Sequence, residues 1–182
     1  MSTNESKIHQ LIRSYLMDED FSIKKIKKQD KLEFGFQFRF PPIVDPSGRP
    51  VGKNIAVFKP KAKDALYIEL GTQISEPHIK ALNAKEQVKI KFFMELRKFF
   101  FFKNMFFNID MKNNRYKISD QIFIDKNGEI SKDRFFQTVR KVFNVAAYSN
   151  IILMDYCSGD IELGDLSKDK KFSSGPGFSL YT

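Results

Sequence analysis

Tryptophan is absent from this 182-residue chain, cysteine occurs once (Cys157) and histidine twice (His9 and His78). A single cysteine excludes an internal disulfide framework and a thiolate cluster for zinc. The two histidines stand far apart in sequence, are read as surface residues, and leave no His-based metal site within one chain. Nine glycines and seven prolines are too few for a collagenous or low-complexity chain. Long apolar runs are missing as well. Val142 to Met154 is uncharged for 13 residues, short of the roughly 20 that cross a bilayer. Phe92 to Phe107 is broken by Glu95, Arg97, Lys98 and Lys103. In Met1 to Ser14, Glu5, Lys7, His9, Gln10 and Arg13 interrupt any charged-then-apolar signal pattern. These absences predict a soluble cytoplasmic protein without a membrane partner.

Catalytic and cofactor motifs are lacking too. There is no G-x-x-x-x-G-K-[ST] and no G-x-G-x-x-G after a strand, and Ser174-Gly175-Pro176-Gly177 sits in a polar terminal stretch. Asp125-Lys126-Asn127-Gly128 hints at a calcium loop. Placing Gly128 at the sixth position, however, puts Phe123 first and Arg134 twelfth, where an EF-hand needs acids. Cys157 is read as an inert thiol at a helix end, and Asp18-Glu19-Asp20 as a solvated helix terminus. No catalytic, metal or cofactor-binding residue is nominated, and the chain is not expected to be an enzyme.

What is present is phenylalanine, lysine and an excess of positive charge. There are 20 phenylalanines, and 31 basic residues against 22 acids give a net charge of +9. An AT-rich coding sequence would favour Phe, Lys, Ile and Asn without any selected function. Placement argues beyond composition: Lys24 to Lys63 holds eleven basic residues and three acids, +8 of the +9. With 42% hydrophobic residues and this length, the chain can bury the core of one domain.

Ser2 and Glu5 have capping-box spacing. Ile8, Leu11, Ile12, Tyr15 and Leu16 follow on one face of a helix from about Thr3 to Asp18. A short extended piece, Phe21 to Ile26, comes next. Leu32, Phe34, Phe36, Phe38 and Phe40 then alternate with Glu33, Gly35, Gln37 and Arg39, the period-two pattern of a strand with one buried face. Pro41 and Pro42 stop it, and Pro41 to Gly52 forms a long structureless loop. Ile55 to Phe58 and Leu66 to Leu70 read as strands. Ser75 caps a helix with Glu76 and Pro77 in its first turn. Asn83 and Glu86 offer a second cap, a point where it can break and restart. Val88, Phe92, Leu96, Phe99 and Phe100 continue at helical spacing. Met105 to Met111 and Tyr116 to Ile124 form a hairpin turning at Asn113-Asn114, closed by Asp125–Gly128. Ser131 caps a last helix with Phe135, Val139, Val142, Phe143 and Ala146 inside, continuing towards Cys157.

The order α-β-β-β-α-β-β-α predicts an α+β fold, with a mainly antiparallel five-stranded sheet and helices packed on it. One domain over 1–157 is expected, with 158–182 as a flexible tail.

Three stretches within this order are IHQLIRSYL (Ile8 to Leu16), ISEPHIKALNAKEQ (Ile74 to Gln87) and IFIDKNGEISKDRFFQTVRKVFN (Ile122 to Asn144). With them the chain resembles the fold of type III secretion chaperones such as the Tir chaperone. More narrowly, it resembles a family of uncharacterised archaeal proteins assigned to the same fold superfamily. The resemblance implies a homodimer that offers a hydrophobic sheet or groove to a protein partner. It carries no catalytic motif. The Pro41–Gly52 loop, the terminal stretch and the strong positive charge depart from the pattern.

Two surfaces stand out. Phe99, Phe100, Phe101 and Phe102, with Phe106 and Phe107, cannot share one narrow helical stripe, because successive residues turn by about 100°. They mark either an interface or a wide internal contact with the last helix. Lys24, Lys25, Lys27, Lys28, Lys31, Lys59, Lys61 and Lys63 form a candidate polyanion site, where lysines would neutralise phosphates by counterion release. Only seven of the basic residues are arginine, which argues against sequence-specific readout. The leading expectation is a non-enzymatic homodimeric module binding an unidentified protein partner. The alternative is nonspecific binding of nucleic acid or another polyanion through residues 24–63.

Overall fold

The structure, a computed structural model, describes residues 6–26, 30–49, 51–84 and 86–158. It is α+β, with elements α1 (Lys7–Asp18), β1 (Lys24–Lys25), β2 (Leu32–Phe40), β3 (Lys53–Pro60), β4 (Ala65–Gln73), α2 (Glu76–Asn83), α3 (Glu86–Phe102), β5 (Phe106–Asp110), β6 (Arg115–Phe123) and α4 (Lys132–Cys157). The strands form one antiparallel sheet in the order β1-β2-β3-β4-β6-β5. Six strands replace the expected five. The sixth, β1, contributes two residues, too few for a period-two pattern, and is held by pairing Lys24 with Gln37 and Lys25 with Phe36. The long helix expected from Ser75 does break: α2 ends at Asn83 and α3 begins at Glu86. The predicted Ser2–Glu5 cap and the terminal stretch from 159 lie outside the described residues; Ser6 is the N-cap of α1.

The chain divides into two compact units, Met1–Ile43, Gly52–Leu70 and Ser119–Phe143 forming one, Val44–Val51, Gly71–Ile118 and Asn144–Thr182 the other. In the first unit the alternating phenylalanines of β2 do what their spacing predicts. Phe34, Phe36 and Phe38 are buried, together with Ile55 and Val57 of β3 and Leu66, Ile68 and Leu70 of β4. Ile8, Ile12 and Leu16 of α1 and Phe135, Val139 and Val142 of α4 are buried as well, and His9 on Phe36 and Phe143 on Phe40 join these helices to β2. The alternation is broken once. The β2–β3 register slips between Leu32 and Phe34, a bulge that inserts one extra residue and leaves Leu32 only half-buried.

α1 ends in a Schellman motif. The Phe21 N–H bonds to the Leu16 carbonyl and the Asp20 N–H to the Met17 carbonyl, both at 3.0 Å, with Asp20 at φ 57°. Buried Phe21 closes the motif over buried Leu16. Gly52, immediately before β3, lies at φ 120°, where an added Cβ would lie 2.5 Å from the Pro41 carbonyl oxygen. The 41–52 connection is more ordered than a structureless loop. The Asp45 carboxylate accepts bonds from the backbone N–H of Ser47 (2.9 Å) and Arg49 (2.8 Å), with Gly48 at φ 77°. The turn before α4 repeats this arrangement: Asp125 accepts from the N–H of Asn127 (3.0 Å) and Glu129 (2.7 Å), with Gly128 at φ 76°.

In the second unit, Phe92, Phe93, Leu96 and Phe100 of α3, Tyr116 and Ile118 of β6, and Ala146 and Leu153 of α4 are buried, and Phe100 meets Tyr116 while Phe92 meets Tyr156. A buried polar relay crosses this core, from the Tyr116 hydroxyl to Ser149 Oγ (2.8 Å) and on to the Ala146 carbonyl (2.7 Å). Burial pushes the Tyr116 hydroxyl above its ordinary pKa, and the Ser149 and Thr72 hydroxyls partly offset this.

Both histidines are core residues, contrary to the surface reading. His9 stacks on Phe36 with centroids 5.1 Å apart and planes 10° apart. His78 is fully buried, its Nδ1 2.6 Å from Ser75 Oγ. Ser75 therefore spends its hydroxyl on this ring and caps α2 through backbone geometry alone. Cys157 is buried and points its thiol at the His78 carbonyl, 3.9 Å away.

Candidate functional site

The end of α3 is the most exposed aromatic feature of the second unit. Helical rotation distributes the four consecutive phenylalanines around the axis. Phe100 points into the core with no exposed surface, against Phe107 (5.8 Å) and Tyr116 (5.6 Å). Phe99 is half-buried on Tyr148 of α4, at 4.9 Å. Phe101 and Phe102 face outward, each 78% exposed, and Phe106 at the start of β5 is 53% exposed. Phe100 is thus corrected from interface candidate to core residue, and half-buried Phe107 belongs largely with it. Phe101, Phe102 and Phe106 carry the surface.

Their positions are fixed by how the helix stops. The Met105 N–H bonds to the Phe100 carbonyl and the Asn104 N–H to the Phe101 carbonyl, both at 3.0 Å. Asn104 lies at φ 50°, and Met105 is buried beside Phe100. This second Schellman motif reverses the chain at once into β5, which keeps Phe101, Phe102 and Phe106 close along the chain. The Lys103 ammonium lies 5.4 Å from the Phe102 ring and 6.0 Å from that of Phe99, within reach of a cation–π attraction.

Beside this end, α3 and α4 border an open groove of about 480 Å³ lined by Phe99, Phe102, Tyr148, Ile152 and Tyr156, with Glu95, Lys98 and Asp155 among its polar groups. The helices run antiparallel there, since Phe99 meets Tyr148 while Phe92 meets Tyr156. Along α3, Ile90 and Met94 extend the exposed apolar surface, and Ile151 does so on α4. Sequence reading passed over these three, although Ile90, Met94 and Phe101 fall on one helical stripe by spacing alone.

The basic segment of the first unit is only partly a surface. Lys24, Lys25, Lys31, Lys61 and Lys63 are exposed, and the Lys61 N–H bonds to the Lys31 carbonyl (3.0 Å), which joins the two turns that carry them. Lys27 and Lys28 lie outside the described residues. Lys59 is corrected: it is 8% exposed and its ammonium is 2.6 Å from Glu33. The bulge in β2 delivers Glu33 to it. Desolvation pushes the Glu33 carboxyl up, but bonds from Lys59 and Ser6 outweigh this and hold it below its ordinary value. Lys53, at the other end of the same core-facing row of β3, is half-buried, and burial brings its ammonium down to about 8.

The opposite face of β2, β3 and β4 has a different character. Gly35, Phe58 and Tyr67 lie side by side in register. The Phe58 and Tyr67 rings are parallel within 10°, their centroids 5.7 Å apart. Ile26 covers Gly35, where an added Cβ would meet its Cδ1 at 3.0 Å. The next row holds Lys24, Gln37, Ala56 and Glu69. Both Phe58 and Tyr67 are half-buried.

Among the described residues, no group of three or more His, Cys, Asp or Glu side chains could hold a metal ion. No helix among them is long and apolar enough to cross a membrane.

The model of a family described as "Uncharacterized conserved protein (DUF2299)" matches residues 8–153, and the chain belongs to that family. Its fold is similar to the crystal structure of an uncharacterized protein from Methanothermobacter thermautotrophicus. The TM-score is 0.69 and the identity 20%, over 82% of this chain and 99% of that one. At that identity the likeness concerns the fold. No curated protein matches the chain.

Proposed function

We propose that this member of an uncharacterised conserved family is a non-enzymatic, homodimeric protein-interaction module of the secretion-chaperone-like kind. The aromatic end of α3 closes the dimer, and the α3–α4 groove accepts an apolar segment of a client protein. The observation that carries this reading is the exposure of Phe101 and Phe102, 78% each, with Phe106 at 53% beside them in the chain. A single exposed aromatic needs no explanation, whereas a cluster of this size is the signature of an interface. The groove adds aromatic walls with charges of both signs among them, a pattern suited to an amphipathic segment.

Light scattering at micromolar concentration tests the dimer. The wild-type chain should have twice the monomer mass, and Phe101→Asp with Phe102→Asp should return it to the monomer while circular dichroism stays unchanged. A sharply monomeric wild-type protein over that range would overturn the reading.

A further inference from the structure

We infer that the groove between α3 and α4 is filled by the chain's own residues 159–166, which a client must displace to enter. The inference rests on the reading of this groove as the client site. α4 delivers the stretch to it. Asp155 and Tyr156 line the groove, α4 ends at Cys157, and Ser158 is the last described residue. Gly159 comes next, the residue type that most readily lets a chain turn back at a helix end. From Tyr156 to Tyr148 is about 12 Å along the helix axis, a distance that extended chain covers in about four residues. The residues directly after α4 are therefore the first that can lie along the groove.

Their pattern suits it. Residues 159–166 read Gly-Asp-Ile-Glu-Leu-Gly-Asp-Leu, with three acids and no base. Ile161 and Leu163 alternate with Asp160 and Glu162, so an extended backbone puts the aliphatic side chains on one side and the carboxylates on the other. The aliphatic side matches Phe99, Tyr148 and Ile152 of the groove, and Tyr148 leaves 51% of its surface to be covered. For the acids there are Lys98 in the groove and Lys103, 6.0 Å from the Phe99 ring. Glu95 and Asp155 oppose them, so apolar contact supplies the affinity and the two lysines favour the run towards Phe99.

Tethering selects this occupant over others. A segment joined to its site by a short connection is present at millimolar effective concentration, and a weak contact is then enough to keep it seated. The groove thereby acquires a threshold that a client of low affinity does not cross.

The chain has no tryptophan, so Leu163→Trp in the full-length protein supplies a single reporter. The L163W indole should emit blue-shifted and be shielded from acrylamide, independently of protein concentration. Tyr148→Asp and, separately, Lys98→Glu should each shift that emission to the red. Both positions are exposed, and circular dichroism checks that the fold is kept. A labelled peptide of residues 159–170 should bind the double variant Ile161→Asp with Leu163→Asp about 10-fold or more tightly than the wild type, whose groove is open only part of the time. A red-shifted, freely quenched L163W indole would overturn the inference. So would a blue shift lost on dilution, which would seat the stretch in a second copy. In either case peptide binding to the double variant would leave the groove standing as a client site. Peptide binding to neither chain would remove the groove reading together with the inference.

Discussion

Two sets of four phenylalanines meet different fates in this chain. Phe34, Phe36, Phe38 and Phe40 are spaced by two, and the first three are buried with Phe40 half-buried. Phe99 to Phe102 are consecutive on a helix, and they split into one buried, one half-buried and two 78% exposed. Side-chain chemistry is identical, so the difference comes entirely from the period of the backbone. A strand returns every second residue to the same face, and the core collects three of the four outright and half of the last. A helix turns each residue by about 100°, so a contiguous run must leave part of itself in water.

The sharpest way to break this comparison is to truncate members of each set. Phe36→Ala and Phe100→Ala remove side chains with no exposure and should each cost about 3–5 kcal/mol. Phe101→Ala and Phe102→Ala should change monomer stability by no more than about 0.5 kcal/mol while weakening association. Urea titrations of the four variants read this directly, and equal losses would mean that the exposed pair is covered within the monomer.

The first set also shares its face with two lysines, and these set the next largest effects. Lys53→Met should stabilise the fold by up to about 3 kcal/mol near neutral pH, the energy of bringing an ammonium from 10.5 to about 8. The sign follows from linkage: between those values the unfolded chain binds more protons, so wild-type stability should rise from about pH 8 to 10.5. Lys53→Met should flatten that rise in thermal melts across this range. Glu33→Ala should cost about 2 kcal/mol in a urea titration, because it strands the buried Lys59 ammonium. The smallest effect concerns how the second set ends. Asn104→Gly removes the Cβ from a left-handed residue and should raise stability by up to about 1 kcal/mol, whereas Asn104→Ala should lower it.

Much of this was legible in the chain itself. The alternation in β2, the hairpin turn at Asn113-Asn114, the cap at Ser131 and the break between α2 and α3 are local signals, and the α+β class followed from their order. What escaped reading depends on partners distant in sequence. The extended piece expected over Phe21 to Ile26 becomes a strand of the sheet only through its pairing with Gln37 and Phe36. The bulge is a relation between β2 and β3, invisible in either strand alone. His9 is buried because β2 offers it two rings, and Lys59 because the bulge brings it an acid. The helix stops at Asp20 and Asn104 were hidden for another reason: the left-handed residue, most often glycine, is here a short polar side chain. At the candidate sites, composition located both the lysine-rich and the phenylalanine-rich segments. The parallel rings of Phe58 and Tyr67 were missed because only the register sets them side by side.

The paired tips at Asp45–Arg49 and Asp125–Glu129 have a consequence for anyone rebuilding this chain. Each closes on itself: the aspartate carboxylate holds two N–H groups, the glycine N–H returns to the aspartate carbonyl, and the aspartate N–H reaches the fifth residue's carbonyl. Nothing in that circuit depends on the side chains at the second or fifth position, which are Pro46 and Arg49 in one and Lys126 and Glu129 in the other. The backbone circuits are interchangeable parts: DPSGE, which keeps the Glu129 carboxylate that meets Lys7 at 2.7 Å, could be spliced into the place of DKNGE between β6 and α4, or a label carried at its second residue.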